Sequence, residues 1–83
     1  MYYLIIDCSG FPLEHSVYLV DEGGQTQSIM QLPTSEIAGY ANSTGVNKVY
    51  LQGAEDYCFG LSEEITKQLS LEYSNNNIEI EVL

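Results

Sequence analysis

The sequence predicts an α/β fold of order βββαβαβ: a five-stranded mixed sheet with two helices. Three observations point there. Segments of strand length at 2–8, 15–21 and 25–32 are separated only by turn-rich links. The apolar spacing then lengthens to three and four at Ile37, Tyr40 and Ala41, and again within 55–73. Strand-like runs return after each helical stretch, at 46–53 and 78–83. Short links make the first three strands antiparallel neighbours, whereas helical crossovers join parallel strands and are almost always right-handed. The simplest sheet has the order 3-2-1-4-5, with strand 2 alone antiparallel. At 83 residues the chain is one domain, 1–83.

Each element has its own signal. The run 2–8 is an apolar stretch of strand length, rich in Ile and Tyr, that closes on Asp7 and Cys8. Gly10 and Pro12 mark a loop over 9–14. The second strand, 15–21, meets Gly23-Gly24, where a positive φ costs little, so a tight hairpin leads into the third strand. The weak pattern of 25–32 suits a sheet edge. Pro33 stands near a helix start, with Thr34 or Ser35 as cap, Glu36 in the first turn and Gly45 as the closing residue. The second helix carries the stripe Cys58, Leu61, Ile65, Leu69 and Tyr73. Ser62-Glu63-Glu64 offers a later start if Glu55 to Gly60 forms a separate turn. After the loop 74–77, Ile78, Ile80 and Val82 alternate with Glu79 and Glu81, as on a half-exposed edge strand.

Charge narrows the partners. Twelve acidic residues face only Lys48 and Lys67, a net charge of −10. That field repels phosphate backbones, whose neutralisation by Lys and Arg supplies most nucleic-acid affinity. Direct nucleic-acid binding is therefore not expected; a protein partner is. Met1 leads straight into a strand with no basic segment, so no secretion signal is expected. No apolar run reaches the ~20 residues that span a bilayer. These features predict a cytoplasmic protein in which Cys8 and Cys58 are reduced, partly buried thiols. With Asp7 and His15, the cysteines contain the chemistry of a zinc site, but no short ligand pair anchors one. His15 is expected to be solvated. No metal and no cofactor is assigned.

The succession βββαβαβ, with "IIDCSG" closing the first strand and "KVYLQGAEDYCFGL" around the fourth, resembles the ribonuclease H-like fold over nearly the whole chain. Members of that family carry a first strand ending in Asp followed by Gly, Ser and Cys, a Glu in the first long helix, and a second Asp closing the fourth strand. The resemblance implies a carboxylate site at the carboxyl edge of the sheet, with Asp7 and Glu36 as its surviving members. Hydrolysis of phosphodiesters by two metals needs several carboxylates converging on ions about 3.5–4 Å apart. Here Gln52, Gly53 or Ala54 stands at the fourth-strand position. Glu55 and Asp56 come too late relative to Tyr57, and no later helix supplies the last ligand. Asp7 and Glu36 are thus expected to be vestigial: Asp7 a loop acceptor, Glu36 a partner of the helix dipole.

The tyrosines carry the functional expectation. There are seven, with no Trp. If both crossovers lie on one side, the opposite sheet face is uncovered. Tyr3, Tyr18 and Tyr50 then suit it, since a tyrosine ring tolerates a half-wet surface and is enriched at interfaces. The expected function is a small acidic, non-catalytic ribonuclease H-like protein that binds a protein partner, or itself, through that face or an edge strand. Two alternatives stand beside it. One is an acidic mimic of nucleic acid that inhibits a DNA- or RNA-binding protein, presenting Glu55, Asp56, Glu63, Glu64 and Glu72. The other is a metal-dependent nuclease with a degenerate carboxylate site.

Overall fold

The computed structural model describes residues 1–83. The elements follow the order β1 (Tyr3–Asp7), β2 (Glu14–Val20), β3 (Thr26–Pro33), α1 (Thr34–Thr44), β4 (Lys48–Gln52), α2 (Glu55–Tyr73) and β5 (Glu79–Val82). The strands form one sheet of order β3-β2-β1-β4-β5. Strand β1 pairs antiparallel with β2 and parallel with β4, β2 pairs antiparallel with β3, and β4 pairs parallel with β5. Only β2 is reversed. No helix is long and apolar enough to cross a membrane.

Both crossovers, β3-α1-β4 and β4-α2-β5, advance in the same direction across the sheet. With one handedness they must lie on one side of it. The burial pattern follows. Leu4, Ile6 and Cys8 of the first strand segment, Val17, and Val49 and Leu51 form a single buried cluster with Ile37, Ala38 and Ala41 of α1 and Leu61, Ile65 and Leu69 of α2. Most alternate residues of the same strands, Tyr3, Ile5, Asp7, Ser16, Tyr18, Lys48 and Tyr50, are half-buried, on the side that no helix covers.

Two local features differ from expectation. Helix α1 takes Pro33 as its N-cap with no side-chain cap; the Thr34 hydroxyl instead donates to the Pro12 carbonyl at 2.7 Å and holds the helix start to the β1–β2 loop. Helix α2 fills the expected range, Glu55–Tyr73, without a separate turn before Ser62, and runs unbroken through Gly60. The reason for a mid-helix glycine is packing: a Cβ there would meet the Phe11 ring at 2.8 Å. Gly60 thus admits the half-buried Phe11 against the helix. Tyr73 leaves the buried stripe; the residue is 42% exposed and its hydroxyl reaches over Gly39 of α1. The hairpin forms as expected, with Gly24 at φ 86°. Its tip is organised by Asp21, whose carboxylate accepts from the Gly23 and Gln25 amides at 3.0 and 2.9 Å and from Gln27 Nε2 at 2.8 Å.

The cysteines correct an expectation. Cys8 and Cys58 are joined as a disulfide, with Cα atoms 5.5 Å apart and both residues fully buried. The phase of each element brings this about. Cys8 continues the inward parity of Leu4 and Ile6, and Cys58 stands one turn before Leu61 on the buried stripe of α2. They are therefore not the two reduced thiols the sequence suggested, and they are not available as metal ligands.

Candidate functional site

The uncovered face is built by strict alternation. Residues 3, 5 and 7 of β1, 16, 18 and 20 of β2, and 48, 50 and 52 of β4 point away from the helices. The register aligns them into a row that crosses all five strands: Ile29, Tyr18, Ile5, Tyr50 and Glu81. Tyr3 packs edge-on against Tyr50 with ring centroids 5.4 Å apart, and Val20, the cross-strand partner of Tyr3, is only 3% exposed. Tyr3, Tyr18 and Tyr50 thus come together as the sequence anticipated, with Ile5 and Ile29 completing the patch. Ile29, on the edge strand, is 63% exposed.

The patch has distinct margins. On the β5 side, Lys48 Nζ lies 2.8 Å from Glu79 and 3.1 Å from Glu81, and 5.2 Å from the Tyr50 ring centre. The hydrogen bond to Glu79, and then that to Glu81, holds the Lys48 pKa above the usual lysine range despite some desolvation. At the other end of the strands the margin is polar and carries Asp7 and the exposed Glu14: Gln31 Nε2 donates to Ser16 Oγ, 2.6 Å away, and Asp7 sits beside Gln52 in register. An apolar, aromatic centre with a polar rim is the general composition of a protein-binding surface.

The sequence-predicted carboxylates do not form a site. Asp7 Oδ1 accepts the Ser9 amide at 3.0 Å. That backbone bond, followed by the Ser9 hydroxyl, holds its carboxyl below the usual carboxylate range. Gly53, at φ 136°, crosses close by: a Cβ there would stand 3.3 Å from the Ser9 nitrogen and 3.6 Å from Asp7 Oδ1. Glu36 is exposed on the first turn of α1 and lines a surface groove with Met30, Leu32 and Tyr40, to which Asp7 does not belong. Nowhere do three or more His, Cys, Asp or Glu side chains converge to hold a metal ion. On α2, at about 100° per residue, Glu55, Asp56, Glu63, Glu64 and Glu72 spread around the helix rather than forming one acidic stripe.

Asp7→Asn separates the loop role from a ligand role. The depressed pKa means that the carboxylate contributes stability above its unfolded pKa of about 3.9, which is lost as pH falls through the lower folded value. Asp7→Asn is therefore expected to cost about 1 kcal/mol at pH 7 and less at pH 2, read by urea unfolding at both values. An equal cost at both would remove the charged hydrogen bond from the account.

His15 is the residue that sequence reasoning misplaced. It is 2% exposed rather than solvated. Its Nδ1 lies 3.1 Å from the Asp7 carbonyl and its Nε2 2.8 Å from the Thr34 hydroxyl. The Phe11 ring stacks against it with centroids 6.3 Å apart. The signal was present in the parity of β2, where position 15 shares the inward side with Val17. Compared with protein-family models, with curated proteins and with solved structures, the chain matches none.

Proposed function

We propose that this chain is a non-catalytic ribonuclease H-like domain that works by binding another protein with the uncovered face of its sheet. The row Ile29, Tyr18, Ile5 and Tyr50, flanked by Tyr3, carries the proposal. A sheet face is ordinarily buried against another layer, and this one presents half-buried aromatic rings to solvent. The strand order 3-2-1-4-5 and the position of Asp7 at the end of the central strand agree with the ribonuclease H-like assignment. The engagement of Asp7 by its own loop, with Gln52 beside it, favours binding over catalysis.

The test places a photo-crosslinking residue at Tyr18 in the full chain expressed in its own cells. A parallel chain carries it at Leu71, exposed on α2. The expected result is one protein captured from position 18 and not from 71, with capture reduced at least about tenfold by Tyr50→Glu in a chain that still folds. Equal capture from both positions overturns the assignment of the face. Cleavage of single strands, duplexes or hybrids in Mg²⁺ or Mn²⁺ by the wild-type chain, lost in Asp7→Asn, overturns the non-catalytic half.

A further inference from the structure

We propose that the free edge of β5 accepts an extended, basic segment of a partner protein as a sixth strand. This edge borders the uncovered face and shares Glu79 and Glu81 with its margin, but it engages backbone groups that the face does not use, so it can fail while that assignment stands. Strand β5 bonds to β4 through alternate residues: the Glu79 amide donates to Asn47 O at 2.9 Å and the Leu83 amide to Leu51 O at 2.8 Å. Ile80 and Val82, between them, therefore direct their own N–H and C=O groups outward, away from the sheet. These are unpaired ladder positions of the kind that added strands occupy.

Beside this edge, on the helix side, lies a groove of about 530 Å³ between β5 and the start of α2. Its apolar lining includes Ile80 and Val82 of β5 and Phe59 of α2, which is 54% exposed. Glu55, in the first turn of α2, and Glu81 stand at its rims. On the other side of the strand Glu79 and Glu81 share the single ammonium of Lys48, which leaves one negative charge unbalanced. An incoming strand thus meets apolar ground with one set of alternate side chains and carboxylates with the other. Alternating apolar and basic residues satisfy both.

The same charges select against a second copy of this chain. Antiparallel pairing of two β5 strands would set Glu79 and Glu81 across from their own counterparts, and like charges directly opposed destabilise a ladder. The opposite edge, β3, carries no charged residue and offers nothing to choose a basic partner by.

The experiment uses a fluorescent, end-blocked peptide of about seven residues alternating lysine and valine, titrated against the intact protein. Binding is followed by anisotropy and by hydrogen exchange at the Ile80 and Val82 amides. The expected result is binding that protects those two amides. Glu81→Lys should weaken it at least about tenfold and Phe59→Ser by a similar factor, whereas Glu72→Lys, with the same charge change elsewhere on the surface, changes it less than about twofold. Methylating the peptide nitrogens that face the edge should abolish binding. Equal binding of the methylated peptide, equal effects of Glu81→Lys and Glu72→Lys, or unaltered exchange at Ile80 and Val82 overturns the proposal. So does a dimer of the wild-type chain whose contact is lost in Glu81→Lys.

Discussion

Reduction of the Cys8–Cys58 cross-link lowers the unfolding free energy by about 3 kcal/mol. The cross-link joins residues 50 apart. Closing a loop of that length removes about 4 kcal/mol of chain entropy from the unfolded ensemble. One compensation exists in the reduced protein. The Cys8 sulfur lies 3.0 Å from the Gln52 carbonyl oxygen, and a free thiol would carry the proton to bond it. A weak hydrogen bond of this kind restores at most about 1 kcal/mol. The net loss is a large fraction of the roughly 4–12 kcal/mol expected for a domain of 83 residues. Urea unfolding with and without a phosphine reductant measures it, and Cys58→Ala should lose at least as much, since it also leaves a small cavity beside Leu61 and Ile65. A loss under about 1 kcal/mol would mean that the cross-link does not constrain the unfolded chain. Because both cysteines are fully buried, the reductant reaches them only through opening of the fold, so reduction should accelerate steeply with urea.

The cross-link also changes what the composition implied about compartment. Disulfides persist in oxidising surroundings and are reduced in the cytosol. The cytoplasmic expectation, drawn from the absence of a basic leading segment and of a spanning run, included two reduced thiols, and the paired cysteines do not agree with that part of it. Thiol titration of the chain denatured directly from its own cells distinguishes the two states: two free thiols per chain for a reducing compartment, none for an oxidising one.

How much could be read in advance depended on the range of the interaction that decides each feature. Element order, sheet order and the common side of the helices follow from short-range period and from the handedness of crossovers. The gathering of Tyr3, Tyr18 and Tyr50 follows once those are known, because parity alone sends them to the uncovered face. Side-chain pairs between distant elements were not readable in that way. Cys8 is in phase with Ile6, and Cys58 with Leu61, so each could be assigned to the core. That the two meet depends on where α2 crosses the end of β1, and this is settled by Gly53 passing close to Ser9 and by Gly60 admitting Phe11. Glu36 shows the converse. Its place in the first turn was legible, but the side of the molecule on which it opens depends on how α1 leaves β3. The family resemblance suggested convergence with Asp7; Glu36 instead lines a groove with Met30, Leu32 and Tyr40 in which Asp7 takes no part.

Replacing His15 by Leu costs about 2 kcal/mol at pH 7 and progressively less as pH falls toward 5. The imidazole joins three segments: the end of β1 through the Asp7 carbonyl, its own strand β2, and the start of α1 through Thr34, whose hydroxyl donates onward to Pro12. Leucine leaves the Asp7 carbonyl and the Thr34 hydroxyl each short of a partner, and an unmet buried polar group costs about 1–3 kcal/mol. The pH dependence rests on two opposed effects. Counting protons favours the imidazolium, since two nitrogen-bound protons and the Thr34 hydroxyl proton would fill all three links, whereas the neutral ring leaves one link without a proton. Desolvation opposes it, because the ring is almost fully buried and both its partners are neutral. Desolvation is the larger influence, ahead of the Asp7 carbonyl bond and the more distant Asp7 and Glu14 charges, so the His15 pKa lies below its usual value. The folded state therefore binds fewer protons than the unfolded one below about pH 6.5. The contribution of His15 is fully present above that pH and declines as pH falls toward the folded pKa, by at most about 1.4 kcal/mol per pH unit. Urea unfolding of the wild type and His15→Leu between pH 7.5 and 5 isolates this group from the carboxylates, which are common to both. A difference that grows on acidification would mean that proton matching outweighs burial and that the imidazolium is the form that ties β1 to α1.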